Sequence, residues 1–240
     1  MKKFLIFFLI ISSILCIFTL GNNFKTDKKI NDTDFSNLTI SYLGDSITMD
    51  KSVKNYPTTL NEEMNFKYSF NYGISSSSIA YQPNCICHNG TRTHDPFVFR
   101  YNEMVETDII LVNGGINDWQ INVPIGYKTS NDVLTFYGAL NKLVSGLKTN
   151  YPNSYILFIT GFNYKENYIN KIGNDFELYN NAIIDVCKKY RIDYYDTYHN
   201  ITFDRDKYTY DTIHPNNEFI SKVWVPEIAN YLKANYDKIK

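Results

Sequence analysis

The sequence predicts an α/β fold: a three-layer α/β/α sandwich around a central, mostly parallel five-stranded sheet. Three observations carry this prediction. Five short runs rich in β-branched and aromatic residues read as strands. The segments between them repeat apolar residues every three or four positions and read as helices. Near-continuous apolar strands that alternate with helices belong to parallel sheets covered on both faces.

In chain order the strands are LTISYL (38–43), KYSFNY (67–72), DIILVN (108–113), SYILFIT (154–160) and IDYYDT (192–197). The helix in DVLTFYGALNKLVSGLK (132–148) rests on Val133, Phe136, Leu140, Leu143, Val144 and Leu147. FELYNNAIIDVCKKY (176–190) repeats the spacing through Phe176, Tyr179, Ile183, Val186 and Cys187. Ser75 to Ser78 read as a small-residue loop and the start of a helix after the second strand. A last helix is expected from Asn217 to Tyr236, kinked or broken at Pro226, which lacks the N–H the helix needs. In a chain of 240 residues with no repeat or internal linker, one domain over residues 37–240 accounts for the pattern.

Ahead of that domain, Lys2 and Lys3 precede an uncharged run from Phe4 to Leu20, with small residues at Thr19 and Gly21. Two readings of residues 1–21 stay open, a cleaved export signal and an uncleaved N-terminal membrane anchor. Both put the protein outside the cytoplasm, secreted or at the cell surface. Residues 22–36 are polar and unpatterned, a linker. Net charge is −1 with no basic stripe, which argues against a nucleic-acid partner. Contact with a membrane is expected only through the N-terminal segment. Beyond Cys16, the cysteines at 85, 87 and 187 are odd in number and suggest no disulfide framework.

In parallel sheets ligands bind beyond the carboxyl ends of the strands, and this rule selects residues. Gly44-Asp45-Ser46 follows the first strand, Gly73 the second, and Gly114-Gly115-Ile116-Asn117-Asp118 the third. Far along the chain, Asp211 and His214 stand three residues apart just before the last helix. A carboxylate on the imidazole Nδ1–H would fix the tautomer and leave Nε2 as a base for Ser46. The backbone N–H of Ser46, the N–H of Gly73 and the side-chain amide of Asn117 are the candidate donors to an oxyanion. Singly, each cluster has a plainer reading as a turn or helix cap. Four of them in this order, three at strand ends, are hard to ascribe to accident.

Together GDSIT, Gly73, GGIND and DTIHPN resemble the SGNH/GDSL hydrolase superfamily, over about residues 38–235. The resemblance matches Ser46, Gly73, Asn117 and His214 to the four residues that name the superfamily, and Asp211 to its acidic triad member. It implies a flavodoxin-like sandwich, ester hydrolysis through an acyl-serine, and neither a metal nor an organic cofactor. Substrates in the superfamily range from acetylated polysaccharides to phospholipids. Export and the absence of a long apolar lid favour small acyl esters of glycans or small molecules. Asp45 and Trp119, beside Ser46 and Asn117, are the candidate substrate contacts. A lipase, a glycan O-acyltransferase and a non-catalytic glycan-binding module are the alternatives.

The segment PNCICHNGTRTHDP holds Cys85, Cys87, His88 and His94. Their C-x-C-H-x5-H spacing matches no common zinc module, so it reads as a loop bordering the cleft and no metal is expected. His199 reads as a surface histidine.

Overall fold

The computed structural model describes residues 33–49, 55–83, 96–164 and 169–240. Its strands are β1 (Thr39–Gly44), β2 (Tyr68–Gly73), β3 (Ile109–Asn113), β4 (Tyr155–Ile159) and β5 (Asp193–Tyr195). They pair in the order β2-β1-β3-β4-β5, and every pair is parallel. All five expected strands are present, and the sheet is parallel throughout. β3 is buried at every residue, as a central strand covered on both faces must be, whereas the edge strand β2 is partly exposed along its length.

Short helices follow strand ends: α1 (Ser46–Met49) after β1 and, beyond β2, α3 (Phe97–Arg100); between them lies the longer α2 (Tyr56–Met64). α4 (Ile116–Gln120) follows β3; α5 (Phe136–Asn150) and α6 (Phe176–Tyr190) flank β4 in the chain. Right-handed crossovers set the layers. The chain steps one way from β1 to β2 and the other way from β3 through β5, so α2 covers one face and α5 with α6 the other. Outward steps on both sides of β1 create a crevice at the carboxyl ends of β1 and β3, where such sheets bind ligands.

α6 has the bounds expected from its periodicity, capped by Asp175, whose side chain accepts the Leu178 N–H at 2.8 Å. α5 begins four residues later than DVLT suggested. Thr135 caps it, while Asp132 makes its own turn by accepting the Leu134 N–H, which leaves Val133 outside the helix. The expected last helix is broken into α9 (Asn217–Phe219), a π turn (Ile220–Trp224) and α10 (Val225–Ala234); before it stand the short α7 (Thr197–Asn200) and α8 (Arg205–Tyr208). Pro226 sits in the first turn of α10, and the Val225 N–H reaches back five residues to Ile220. A proline ring clashes with the carbonyl four residues before it, and the wider turn relieves that clash. Ser75 to Ser78 form a loop, and no helix starts there among the described residues.

The packed unit runs from Asp34 to Lys240. Phe35 is buried with Phe66 and Tyr236, at ring separations of 5.7 and 5.0 Å. Cys187 is buried and unbonded in α6. No helix among the described residues is long and apolar enough to cross a membrane. The N-terminal apolar run and the Cys85, Cys87, His88 and His94 segment lie outside the described residues.

Candidate active site

The carboxyl end of β1 passes directly into α1, and Ser46 is the first residue of that helix. Asp45 before it is fully buried, with Oδ1 accepting the Ile47 N–H at 2.9 Å. Burial pushes its carboxyl up to about 6, against the Ile47 N–H and the charges of His214 and Arg100. Expected to contact substrate, Asp45 has no surface to offer one. It turns inward because its carboxylate ties the strand-to-helix turn and, at 3.3 Å, the amide of Asn117.

His214 arrives from the loop ahead of α9. Its Nε2 lies 2.8 Å from Ser46 Oγ and its Nδ1 2.6 Å from Asp211 Oδ2. The other carboxylate oxygen, Oδ1, accepts the backbone N–H of Ile213 at 3.1 Å and of His214 at 2.8 Å. Partial burial pushes the Asp211 carboxyl up, but these N–H groups and the His214 ring outweigh it and hold it below the usual carboxylate range. The turn needs Thr212 at φ 74°, an uncommon conformation for a β-branched residue. Tyr164 braces it from inside, its hydroxyl donating to the Ile213 carbonyl at 2.9 Å.

Asn117 is the second residue of α4. Its side-chain N–H2 donates to the Ser77 carbonyl at 3.0 Å and to Asp45 at 3.3 Å. The amide therefore faces both the Ser46 turn and the serine loop after β2. Gly73 is placed differently from the expectation. Its N–H donates to the Asn71 side chain at 2.8 Å, and a Cβ there would stand 2.4 Å from the Met49 backbone nitrogen. Glycine is required at 73 because α1 packs on the strand end, and its N–H is already taken. Two backbone N–H groups that sequence reasoning did not single out lie farther on. The N–H groups of Ser75 and Ser76 have no partner among the described residues, like that of Ser46. Ser76 sits at φ 61°, a left-handed conformation that reverses the chain there.

Two buried polar side chains pin this loop. Arg100 donates to the Gly44 and Tyr72 carbonyls, each at 2.6 Å, and so joins the ends of β1 and β2. Asp118 accepts the Ile79 and Ala80 N–H groups, each at 2.8 Å. Trp119 is half-buried, its indole N–H donating to the Asn174 carbonyl at 3.0 Å and its ring against Phe176. His199 is bound by Asp196 at 2.7 Å and faces Glu177 at 3.5 Å. No group of three His, Cys, Asp or Glu among the described residues is placed to hold a metal.

The sequence pattern of the GDSL-like lipase/acylhydrolase family matches residues 53–207, a span that includes Asn117 but neither Ser46 nor the Asp211–His214 pair. None of the curated proteins matches the chain in sequence. Among solved structures, a protein from Lactobacillus plantarum superposes with a TM-score of 0.72 at 27% identity, over 82% of this chain and 98% of its own. A possible lipase from Chitinophaga pinensis gives 0.64 at 21% identity, over 82% of this chain and 98% of its own. An acetyl xylan esterase from Butyrivibrio proteoclasticus gives 0.51 at 16% identity, over 83% of this chain and 64% of its own.

Proposed function

The chain belongs to the GDSL-like lipase/acylhydrolase family, and on that premise we propose an exported serine esterase that removes short acyl groups, acetyl foremost, from alcohols such as carbohydrates. The observation that carries the mechanism is the hydrogen-bonded line Asp211–His214–Ser46, with steps of 2.6 and 2.8 Å. With its proton on Nδ1 facing Asp211, neutral His214 offers the Nε2 lone pair to the Ser46 hydroxyl. Ser46 Oγ attacks the acyl carbonyl carbon while Nε2 takes its proton. The resulting oxyanion is met by the Ser46 N–H, by the N–H groups of the Ser75–Ser76 turn, and by the Asn117 amide as it turns one N–H from its long 3.3 Å bond to Asp45. The tetrahedral intermediate collapses, the alkoxide leaves with the proton from Nε2, and an acyl-serine remains. Water repeats the sequence, releasing the carboxylic acid and free Ser46.

Removing Asn117 tests the oxyanion assignment. Asn117→Ala is expected to lower kcat about 10²–10³-fold with KM little changed, because the donor meets charge that develops only in the transition state. A fall in affinity alone would remove Asn117 from that role.

Short acyl length is supported by the sequence, which has no long apolar segment beyond residue 21 to roof a fatty chain. The Butyrivibrio acetyl xylan esterase is an instance of sugar deacetylation on the same fold. The N-terminal apolar run supports export. The experiment is a series of p-nitrophenyl esters from acetate to decanoate, read against Ser46→Ala as the blank. Turnover is expected to be highest for acetate and to fall with length. A maximum at decanoate would move the reading to lipids, and no turnover above the blank would overturn the esterase.

A further inference from the structure

We propose that Arg100, which touches none of the reacting atoms, is a positioning residue for the reaction: its guanidinium fixes the separation of the two chain segments that carry the backbone oxyanion donors. The inference rests on the esterase reading and assigns a further residue to that same site.

The backbone donors come from different strands. The Ser46 N–H follows the end of β1, and the Ser75 and Ser76 N–H groups follow the end of β2. Pairing between the two strands stops at Gly44 and Gly73. Past that point β1 turns into α1 while β2 runs into the serine loop, so the ladder no longer sets the distance between the donors. Two of the ties that take over meet at one carbonyl. The Gly44 oxygen accepts the Ile74 N–H at 3.0 Å and an Arg100 Nη2–H at 2.6 Å. From the same guanidinium, Nη1 donates to the Tyr72 carbonyl at 2.6 Å, and Nη2 lies 3.4 Å from Ser77 Oγ. One rigid plane thus reaches the chain just before Ser46, just before Ser75 and just after Ser76.

Arg100 is itself held in place. It is buried, and its guanidinium lies over the Phe97 ring, 4.6 Å from the centroid. α3, which carries both residues, is bonded to the loop it serves: the Phe97 N–H donates to the Ser78 carbonyl at 2.9 Å and the Val98 N–H to the Ile79 carbonyl at 3.3 Å. A guanidinium donates through a planar fork of fixed spread, which a lysine ammonium cannot reproduce. Oxyanion donors act at full strength only about 2.7–3.1 Å from the oxygen, and a misplacement of about 1 Å can cost about 10²-fold in rate. The charge they meet exists only in the transition state. A loosened clip is therefore felt in kcat and not in ground-state binding.

The test uses ethyl acetate, an alkyl ester with a poor leaving group, so that KM reports binding. Beside it stands phenylboronic acid, whose tetrahedral adduct with Ser46 puts an oxygen where the oxyanion forms. Wild type, Arg100→Lys, Phe97→Leu and Ser46→Ala are compared. The quantity read is the boronate inhibition constant divided by KM, and neither value depends on the fraction of protein folded. In Arg100→Lys that ratio is expected to rise about 10–100-fold and kcat to fall in step, with KM within about twofold of wild type. Phe97→Leu, which removes the ring under the guanidinium and keeps the fork, should move the ratio the same way by about threefold. An unchanged ratio in Arg100→Lys, whatever its stability, means that Arg100 serves the fold alone and overturns the proposal with the esterase intact. If Arg100→Lys yields no folded protein, Phe97→Leu decides, and an unchanged ratio there overturns the proposal equally. Wild-type turnover no higher than that of Ser46→Ala would instead sink the esterase reading, and the role of Arg100 with it.

Discussion

Ester hydrolysis is expected to fall about 10⁶-fold in Ser46→Ala and about 10⁴-fold in Asp211→Asn, with the fold unchanged in both. The second value is the more informative because the substitution keeps size and shape. Asp211 Oδ1 already accepts two backbone N–H groups, from Ile213 and His214. An asparagine at 211 keeps its carbonyl oxygen there and therefore turns its NH2 toward His214 Nδ1. The imidazole must then accept at Nδ1 and carry its proton on Nε2, aimed at Ser46 Oγ, where a lone pair is needed. The geometry survives and the base is lost. Measured kcat for a short acyl ester, with near-ultraviolet circular dichroism as the check on packing, decides the matter. A loss of less than tenfold would mean that Asp211 does not set the tautomer. The double variant should be no slower than Ser46→Ala alone, because residues acting as one unit do not contribute additively.

Strand positions were legible because an apolar run bounded by turn residues has a sharp edge, and all five strands start one residue inside the run that announced them. The meeting of Ser46 with His214 and Asp211 was legible for a different reason: sheet topology tells which chain ends share a rim. Spacing alone would not have sufficed. DTYH (196–199) and DTIH (211–214) have the same spacing, and both histidines bind their aspartate through Nδ1. They differ in what faces Nε2, Glu177 in one and Ser46 in the other, and only the folded chain brings that partner in.

The misplacements have physical causes of the same kind. Gly73 looked like an oxyanion residue because glycine signals a close backbone approach, and the approach is real. It is made by Met49 of α1 instead of by a ligand. Ser76 carries no comparable signal, since a serine in the left-handed region looks like any loop serine. Nothing in the sequence singles out Arg100, on which the β1 and β2 carbonyls converge only in the folded chain.

Asp118→Ala is expected to lower unfolding free energy by about 3–5 kcal/mol, a loss that reaches the active site through the serine loop. The carboxylate is fully buried in α4 and is the acceptor for both the Ile79 and the Ala80 N–H. Alanine leaves two buried donors without partners and a void beside them, and each unsatisfied group costs about 1–3 kcal/mol. The penalty should depend on pH in a definite direction. Burial pushes the Asp118 carboxyl up to about 7, although the Ala80 and Ile79 N–H groups act against it. Its folded pKa therefore lies above the ordinary carboxylate value near 3.8. Between about pH 4 and 7 the folded state holds a proton that the unfolded state has released, so this residue's contribution falls as pH rises and levels off above 7. Asp118→Ala lacks that slope. The gap between wild type and variant, from urea midpoints at several pH values, should be widest near pH 4 and narrow toward pH 7. A gap that widens instead would mean that the buried carboxyl is ionised throughout. Because Ile79 and Ala80 continue the loop that carries Ser75, Ser76 and the Ser77 carbonyl bonded to Asn117, kcat of the folded variant should fall as well, while Ser46 and His214 keep their contact.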